Sequence, residues 1–180
     1  MPIVRGKSIN ILFSEEDIHQ RNKQIATQIA DANLENLLVI SILKGSFVFA
    51  ADLIRAMHAC GISPEVEFIS LSSYGGGTEA KKPVILRDVE TPVEGRNILL
   101  IDDILESGGT LTFAKNLMLN RGATSVSIAV LLDKSSRRKE TLEANYAGFE
   151  CPDKFVVGYG MDVGHAFREL PYVGEVTGEA

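Results

Sequence analysis

Apolar positions in this chain follow two alternating patterns. Short apolar runs at 37–43 and 97–102 have the length and composition of strands that are covered on both faces. Apolar residues that recur every three or four positions predict helices over 13–33, 47–61 and 110–122. Further strands are predicted at 66–74, 125–134 and 154–160. Because strands alternate with helices, the pattern predicts an α/β fold with a mainly parallel central sheet flanked by helices.

Local residue choices add detail to two regions of this pattern. Ser14 stands three positions before Asp17, a pair that favours a capped helix beginning just after Ser14. Residues 75–82 contain three glycines and almost nothing apolar, so they predict a mobile loop. Residues 83–90 are short and suit one strand of a hairpin that follows this loop.

Composition narrows the classes of protein that are possible. With 180 residues, 45% of them hydrophobic and 23% charged, we expect one globular domain over 1–180. The net charge of −6 argues against a general nucleic-acid binder, and no apolar run approaches the length of a membrane span. The N-terminal residues lack the pattern of a signal peptide, and Cys60 and Cys151 lack metal-type spacing, which favours a reducing cytoplasm.

The stretch "ESGGT", residues 106–110, connects the strand at 97–102 to a predicted helix. A helix N-terminus attracts anions, and Gly108 and Gly109 would let the backbone approach a phosphate closely. Ser107 and Thr110 can add hydroxyl donors. The alternative is that Ser107 or Thr110 merely caps the helix, but the preceding apolar strand and acids favour a phosphate loop.

Asp102 and Asp103 stand at the carboxyl end of that strand, next to the predicted phosphate loop. Two carboxylates would repel a bound anion unless they face hydroxyl groups or hold a divalent cation. A sugar phosphate fits this arrangement, with its phosphate in the loop and its hydroxyls on the acids. The chain contains neither the G-x-G-x-x-G spacing of a dinucleotide site nor the G-x-x-x-x-G-K-[ST] loop of an NTPase.

The stretch "ILLIDDILESGGTLT" resembles the phosphoribosyl pyrophosphate (PRPP) motif of the type I phosphoribosyltransferases. "SILKGSFVFAADL", "SLSSYGG", "LLDK" and "CPDKFVVGYGMDVGHAFRELPYVG" are similar, in the same order, to the 6-oxopurine enzymes of that family. The resemblance implies a small hood built from the N- and C-terminal segments. It also implies Mg²⁺-dependent transfer of the phosphoribosyl group of PRPP to N9 of hypoxanthine or guanine, which yields IMP or GMP and pyrophosphate in purine salvage.

The same resemblance assigns the PRPP contacts to four segments of the chain. They are a pyrophosphate loop in which the family has a cis peptide, a mobile serine-tyrosine loop, the phosphate loop with its two acids, and one arginine. The residues concerned are Leu43, Lys44, Gly45, Ser73, Tyr74, Asp102, Asp103, Glu106, Ser107, Gly108, Gly109, Thr110 and Arg168.

The purine contacts follow in the same way. Lys134 matches the lysine that bonds the 6-oxo group, Phe155 the ring that stacks on the base, and Val156 a backbone carbonyl at its edge. Asp162 matches an acid beside the base that helps to place Mg²⁺, with Asp102 and Asp103 as further candidate ligands. By composition alone, Phe155 and Val156 would be interpreted as core residues. Lys134 ends an apolar strand and must be paired or hydrated there.

Position 106 departs from the family, which has aspartate near N7 of the purine as the proton acceptor. The resemblance makes Glu106 the catalytic residue, although its extra methylene changes how the carboxylate reaches N7. Asp103 or water is the alternative acceptor. Proton transfer of this kind contributes about 10²- to 10⁴-fold to rate.

Two rival functions share this motif set. The first is a xanthine-preferring relative, because xanthine differs from hypoxanthine only at C2. Adenine would place an amino group against Lys134 and is disfavoured. An RNA-binding regulator on the same fold would need a basic face, which the scattered lysines and arginines do not indicate. The expected partners are therefore PRPP and a purine base, without nucleic acid or membrane, and the relatives suggest a homodimer or homotetramer.

Overall fold

The computed structural model describes residues 2–72 and 83–179. Its three helices are α1 (Glu15–Asp31), α2 (Phe47–Ala59) and α3 (Gly109–Asn120). Its strands, in chain order, are β1 (Ile3–Val4), β2 (Lys7–Phe13), β3 (Leu37–Leu43), β4 (Glu65–Ser72), β5 (Val84–Arg87), β6 (Asn97–Leu105), β7 (Ser125–Asp133), β8 (Tyr146–Glu150), β9 (Val156–Val157) and β10 (Val173–Glu179).

The central sheet has six strands in the order β5-β4-β3-β6-β7-β8. All neighbouring pairs are parallel except β5 with β4, so the sheet is mainly parallel with one antiparallel edge strand. The predicted fold class is thereby confirmed, and the segment predicted at 83–90 contributes β5, which pairs with β4 as a hairpin strand does. β8 was not predicted, because it is a five-residue edge strand with a glycine at its centre.

Alternate residues of the central strands enter two hydrophobic clusters, one on each face of the sheet. Val39 and Leu99 pack against α1 and α2 on one face. Leu38 and Leu100 pack against α3 on the other face. Each fully buried side chain of this kind contributes about 1.5–3 kcal/mol to folding. Coverage on both faces explains why β3 and β6 read as continuous apolar runs.

The first helix begins where the sequence predicted. The Ser14 hydroxyl accepts from the backbone N–H of Asp17 at 3.2 Å, and the Asp17 carboxylate accepts from the Ser14 N–H at 3.2 Å. The helix therefore has a complete capping box. It places Ile18, Ile25 and Ile29 against the sheet.

A second, four-stranded antiparallel sheet forms the expected hood, with the order β1-β2-β10-β9. Strand β2 from the N-terminal segment pairs with β10 from the C-terminal segment. The strand predicted at 154–160 is corrected to the two residues Val156–Val157, and it pairs with β10 rather than with the central sheet. It ends there because the chain turns at 158–161, where Tyr159 adopts a left-handed φ of 50°.

Both cysteines are free thiols: Cys60 is exposed, and Cys151 is buried. Burial raises the pKa of the Cys151 thiol above its ordinary value, which keeps it protonated. None of the helices in the described part of the chain is long and apolar enough to cross a membrane.

Candidate active site

The acid pair, Asp102 and Asp103, lies in strand β6, which runs three residues beyond its predicted end at residue 102. Asp102 is only 9% exposed, and its side chain accepts from the backbone N–H of Asp103 at 2.9 Å. Burial, and then the charge of Asp103, raise the pKa of Asp102 well above the ordinary value for an aspartate. Burial likewise raises the pKa of Asp103. Two desolvated carboxylates at one strand end form a site that favours hydroxyl donors or a cation.

The candidate pyrophosphate loop packs directly against this pair. The peptide bond between Leu43 and Lys44 is cis, as the resemblance implied. A Cβ atom at Gly45 would lie 1.7 Å from the Asp103 Oδ2 atom, so only glycine permits this approach. Lys44 is exposed at the same end of the sheet.

The candidate phosphate loop turns directly into α3. Gly108 has φ 89°, a left-handed conformation that glycine adopts without steric cost, and its carbonyl accepts from Thr112 N–H at 2.8 Å. The Ser107 carbonyl accepts from the backbone N–H groups of Lys139 and Glu140, at 3.0 and 3.1 Å. The first amides of α3 have no intrahelical acceptor, so this turn is suited to bind a phosphate.

Glu106, at the start of this loop, makes an ion pair that was not foreseen. Its carboxylate lies 3.0 Å from Arg137 Nη1, and Arg137 Nε lies 2.5 Å from Asp153 Oδ1. Arg138 donates to the Glu106 carbonyl at 3.1 Å. The only signal in the sequence was two consecutive arginines shortly after Lys134, a pattern that by itself indicates an exposed turn.

The candidate purine residues come together near the end of β7. Lys134 is 5% exposed, and its ammonium donates to the Lys154 carbonyl at 2.7 Å. The requirement that a lysine at this strand end be paired is met by that bond. Phe155 is 61% exposed, while Val156 is 7% exposed in β9.

A cavity of about 340 Å³ joins the purine candidates to the acids. Its lining includes Asp103, Glu106, Lys134, Phe155 and Asp162. Larger cavities of about 1180 and 560 Å³ lie elsewhere, the first beside α1 and α2 and the second near the start of β3. A cavity of about 470 Å³ lies next to the site and shares Glu106 and Arg137 with it. We place the candidate site in the 340 Å³ cavity because the predicted chemistry converges there.

Asp162 follows the 158–161 turn rather than a strand end, and both of its oxygens are engaged. Oδ1 lies 2.7 Å from Arg168 Nη2, and Oδ2 accepts from the His165 N–H at 2.7 Å. Arg168 also donates to the Gly160 carbonyl at 2.6 Å. Within residues 2–72 and 83–179, no group of three or more His, Cys, Asp or Glu side chains could together hold a metal ion.

Tyr159 is a supporting residue that sequence reasoning missed. Its buried hydroxyl accepts from Asn22 Nδ2 at 2.9 Å and donates to the Asp52 carboxylate. Burial, with the hydrogen bond to Asp52, raises the pKa of Tyr159. These bonds fix the 158–161 turn to α1 and α2. Of the predicted site residues, Ser73 and Tyr74 lie outside the described residues.

Comparison with known proteins identifies the family of this chain. The family of the phosphoribosyl transferase domain matches residues 8–163, and the chain belongs to this family of enzymes. The hypoxanthine-guanine phosphoribosyltransferase of Dictyostelium discoideum is 39% identical over 175 residues, which cover 96% of this chain and 97% of that protein.

Two solved structures extend the comparison to the fold. A crystal structure of a hypoxanthine phosphoribosyltransferase from Staphylococcus aureus has a TM-score of 0.88 at 39% identity and covers 93% of this chain and 91% of that one. A hypoxanthine phosphoribosyl transferase from Trypanosoma cruzi has a TM-score of 0.91 at 36% identity and covers 98% and 95%. The predicted family is therefore confirmed.

Proposed function

We propose that this chain is a purine-salvage enzyme that transfers the 5-phosphoribosyl group of PRPP to N9 of hypoxanthine or guanine. The products are IMP or GMP and pyrophosphate. The observation that carries this proposal is that one 340 Å³ cavity is lined by an ammonium, an exposed ring and a carboxylate beside the acid pair, namely Lys134, Phe155, Glu106 and Asp103. The relatives named for the same reaction support it.

The ribose and its phosphates bind at the end of β6. The amides of residues 106–110 and the start of α3 receive the 5′-phosphate. Asp102 and Asp103 accept hydrogen bonds from the ribose hydroxyls, which provide the donors that this desolvated pair favours. The pyrophosphate lies against Leu43, Lys44 and Gly45, where the lysine supplies positive charge.

The purine binds across the cavity from the acids. The Lys134 ammonium has three donors, so it can bond the 6-oxo group while keeping its bond to the Lys154 carbonyl. The exposed ring of Phe155 stacks on the base, and the Val156 carbonyl accepts from its edge. Adenine would place donor against donor at Lys134, a mismatch that a buried hydrogen-bonding site rejects strongly.

The reaction exchanges one bond at C1 of the ribose. N9 of the N7–H tautomer bonds to C1, and the bond from C1 to the pyrophosphate oxygen breaks. The base then carries a positive charge, which it loses when the N7 proton passes to Glu106. Arg168 and Lys44 stabilise the negative charge that develops on the leaving group. Ser73 and Tyr74 remain predicted members of a loop that excludes water.

The residues present fit a magnesium ion that takes most of its ligands from substrate and water. Mg²⁺ is usually held by one or two carboxylates together with substrate phosphates, and the carboxylates of Asp162, Asp102 and Asp103 are the donors available. When bound, the ion supplies charge neutralisation on pyrophosphate. Asp162 is already paired with Arg168, which orients the Asp162 carboxylate and partly neutralises its charge.

We further propose that the chain acts in the cytoplasm as a single domain that assembles into a homodimer or homotetramer. Two free thiols support a reducing compartment. Sedimentation equilibrium of the purified chain tests the assembly.

One assay tests the function. The purified chain is incubated with PRPP and Mg²⁺, and hypoxanthine, guanine, xanthine and adenine are offered separately while nucleotide and pyrophosphate are measured. We expect product from hypoxanthine or guanine and none from adenine. Efficient use of xanthine alone would favour the xanthine-preferring rival. Absence of product, together with salt-dependent RNA binding, would favour the RNA-binding regulator.

A further inference from the structure

Arg137 connects two parts of the proposed site that come from distant segments. It lies in a single 3₁₀ turn, Ser135–Arg137, directly after Lys134. Its Nη1 atom is 3.0 Å from Glu106 in the phosphate loop, and its Nε atom is 2.5 Å from Asp153. Asp153 stands two residues before Phe155. One guanidinium therefore bridges the proposed proton acceptor and the segment that carries the stacking ring.

The contact restricts a side chain that would otherwise be free to rotate. Glu106 has three side-chain torsions and is 36% exposed, so several rotamers are sterically open to its carboxylate. Glu106 and Arg137 both line the 340 Å³ cavity. A planar guanidinium presents its donors in a fixed geometry, so it can bind two carboxylates and hold each in one orientation.

The two contacts of Arg137 differ in strength. Arg137 Nε lies 2.5 Å from Asp153, whereas Arg137 Nη1 lies 3.0 Å from Glu106, and the hydrogen bond to Asp153 is the main cause that raises the pKa of Arg137. Asp153 is thus the anchor of the guanidinium, and Glu106 is the partner that can exchange. A carboxylate that must also accept a proton from a substrate needs a contact of this weaker, exchangeable kind.

We propose that Arg137 is a positioning residue that holds Glu106 toward N7 of the purine and couples it, through Asp153, to the Phe155 segment. The proposal rests on the proposed function. It is distinct from a role in folding, because the Arg137 side chain is 55% exposed and the Asp153 side chain 48% exposed. Exposed ion pairs contribute little to stability.

A double-mutant cycle tests this role, with kcat and the KM values for PRPP and hypoxanthine as readouts. We expect Arg137→Ala to lower kcat about 10-fold, because the acceptor is misplaced but still present, with the KM for PRPP unchanged. Arg137→Lys should recover most of that loss. In a Glu106→Gln background, Arg137→Ala should change kcat less than about twofold, since the charged partner is already absent.

Controls separate this outcome from others. Arg55→Ala removes another exposed, ion-paired arginine, on α2, and should leave kcat unchanged. Equal losses from Arg137→Ala in the wild-type and Glu106→Gln backgrounds would show that Arg137 does not act through Glu106. An Arg137→Ala variant with wild-type kcat would overturn the proposal while leaving the proposed function intact. A wild-type chain without transferase activity would overturn the proposed function and the positioning role with it.

Discussion

The two halves of the candidate site are built in different ways. The ribose-phosphate half comes mainly from one continuous stretch, the end of β6 and the start of α3, and its acids are held by burial. The purine half is assembled from the residue after β7, the segment at 153–156 and the loop at 162–168. Its members are fixed by ion pairs and by single hydrogen bonds to carbonyls.

This difference determines how each half responds to change. The acid pair is desolvated, and the packed sheet around it offsets the free-energy cost of that desolvation. The pair therefore lowers the stability of the free protein and favours ligand binding. The purine half is more exposed and depends on specific partners, so losing one partner alters binding or turnover more than folding. Glu106 belongs to the first half by sequence and to the second by its contacts with Arg137.

The largest expected effect is the loss of activity on metal removal, which involves both halves. Excess chelator should lower turnover about 10³-fold or more, because charge on the leaving pyrophosphate is then poorly stabilised. Turnover is measured with and without chelator, and added Mg²⁺ should restore it. Full activity in excess chelator would contradict the magnesium assignment.

Lys134→Ala should separate the halves most clearly. The variant loses a charge-assisted hydrogen bond and leaves the 6-oxo acceptor unpaired in the site, together about 4 kcal/mol, so kcat/KM for hypoxanthine should fall about 10³-fold. PRPP affinity, measured by calorimetry, should remain unchanged. If the variant lost PRPP affinity instead, the assignment of Lys134 to the base would be wrong.

Glu106→Gln tests the residue where the halves meet. The substitution keeps length and shape but removes the basic form, so kcat should fall about 10²-fold with little change in the KM for PRPP. Glu106→Asp retains a carboxylate and should keep substantial activity. A Gln variant with near-normal kcat across the pH–rate profile would assign the proton to Asp103 or water.

Asp102→Asn should give the smallest effect, and it acts on stability. Replacing one acid of the buried pair removes a group whose charged form is disfavoured there, so the free protein should become more stable, measured as an increase in Tm. The KM for PRPP should rise. Asp162→Asn is the matched control: this acid is paired with Arg168, so its loss should not stabilise the protein. A lower Tm for Asp102→Asn would contradict the account of the acid pair.

Local chemistry made much of the fold and of the ribose-phosphate half predictable. β3 and β6 are buried on both faces, so their apolar runs identify them without further context. The capping box of α1 and the glycine at the start of α3 act within a few residues. β2 and β10 were not predicted, because the partly exposed hood sheet mixes apolar and polar residues without strict alternation.

The sequence by itself determined the order of the functional features along the chain: an apolar strand, then two acids, then a glycine loop that begins a helix. Only the tertiary structure decided that Gly45 contacts Asp103, that the Lys134 ammonium meets the Lys154 carbonyl, and that Arg137 joins Glu106 to Asp153. The physical reason is distance along the chain. A periodic pattern or a cap reports contacts within a few residues, whereas contacts between distant segments depend on where the folded core places those segments.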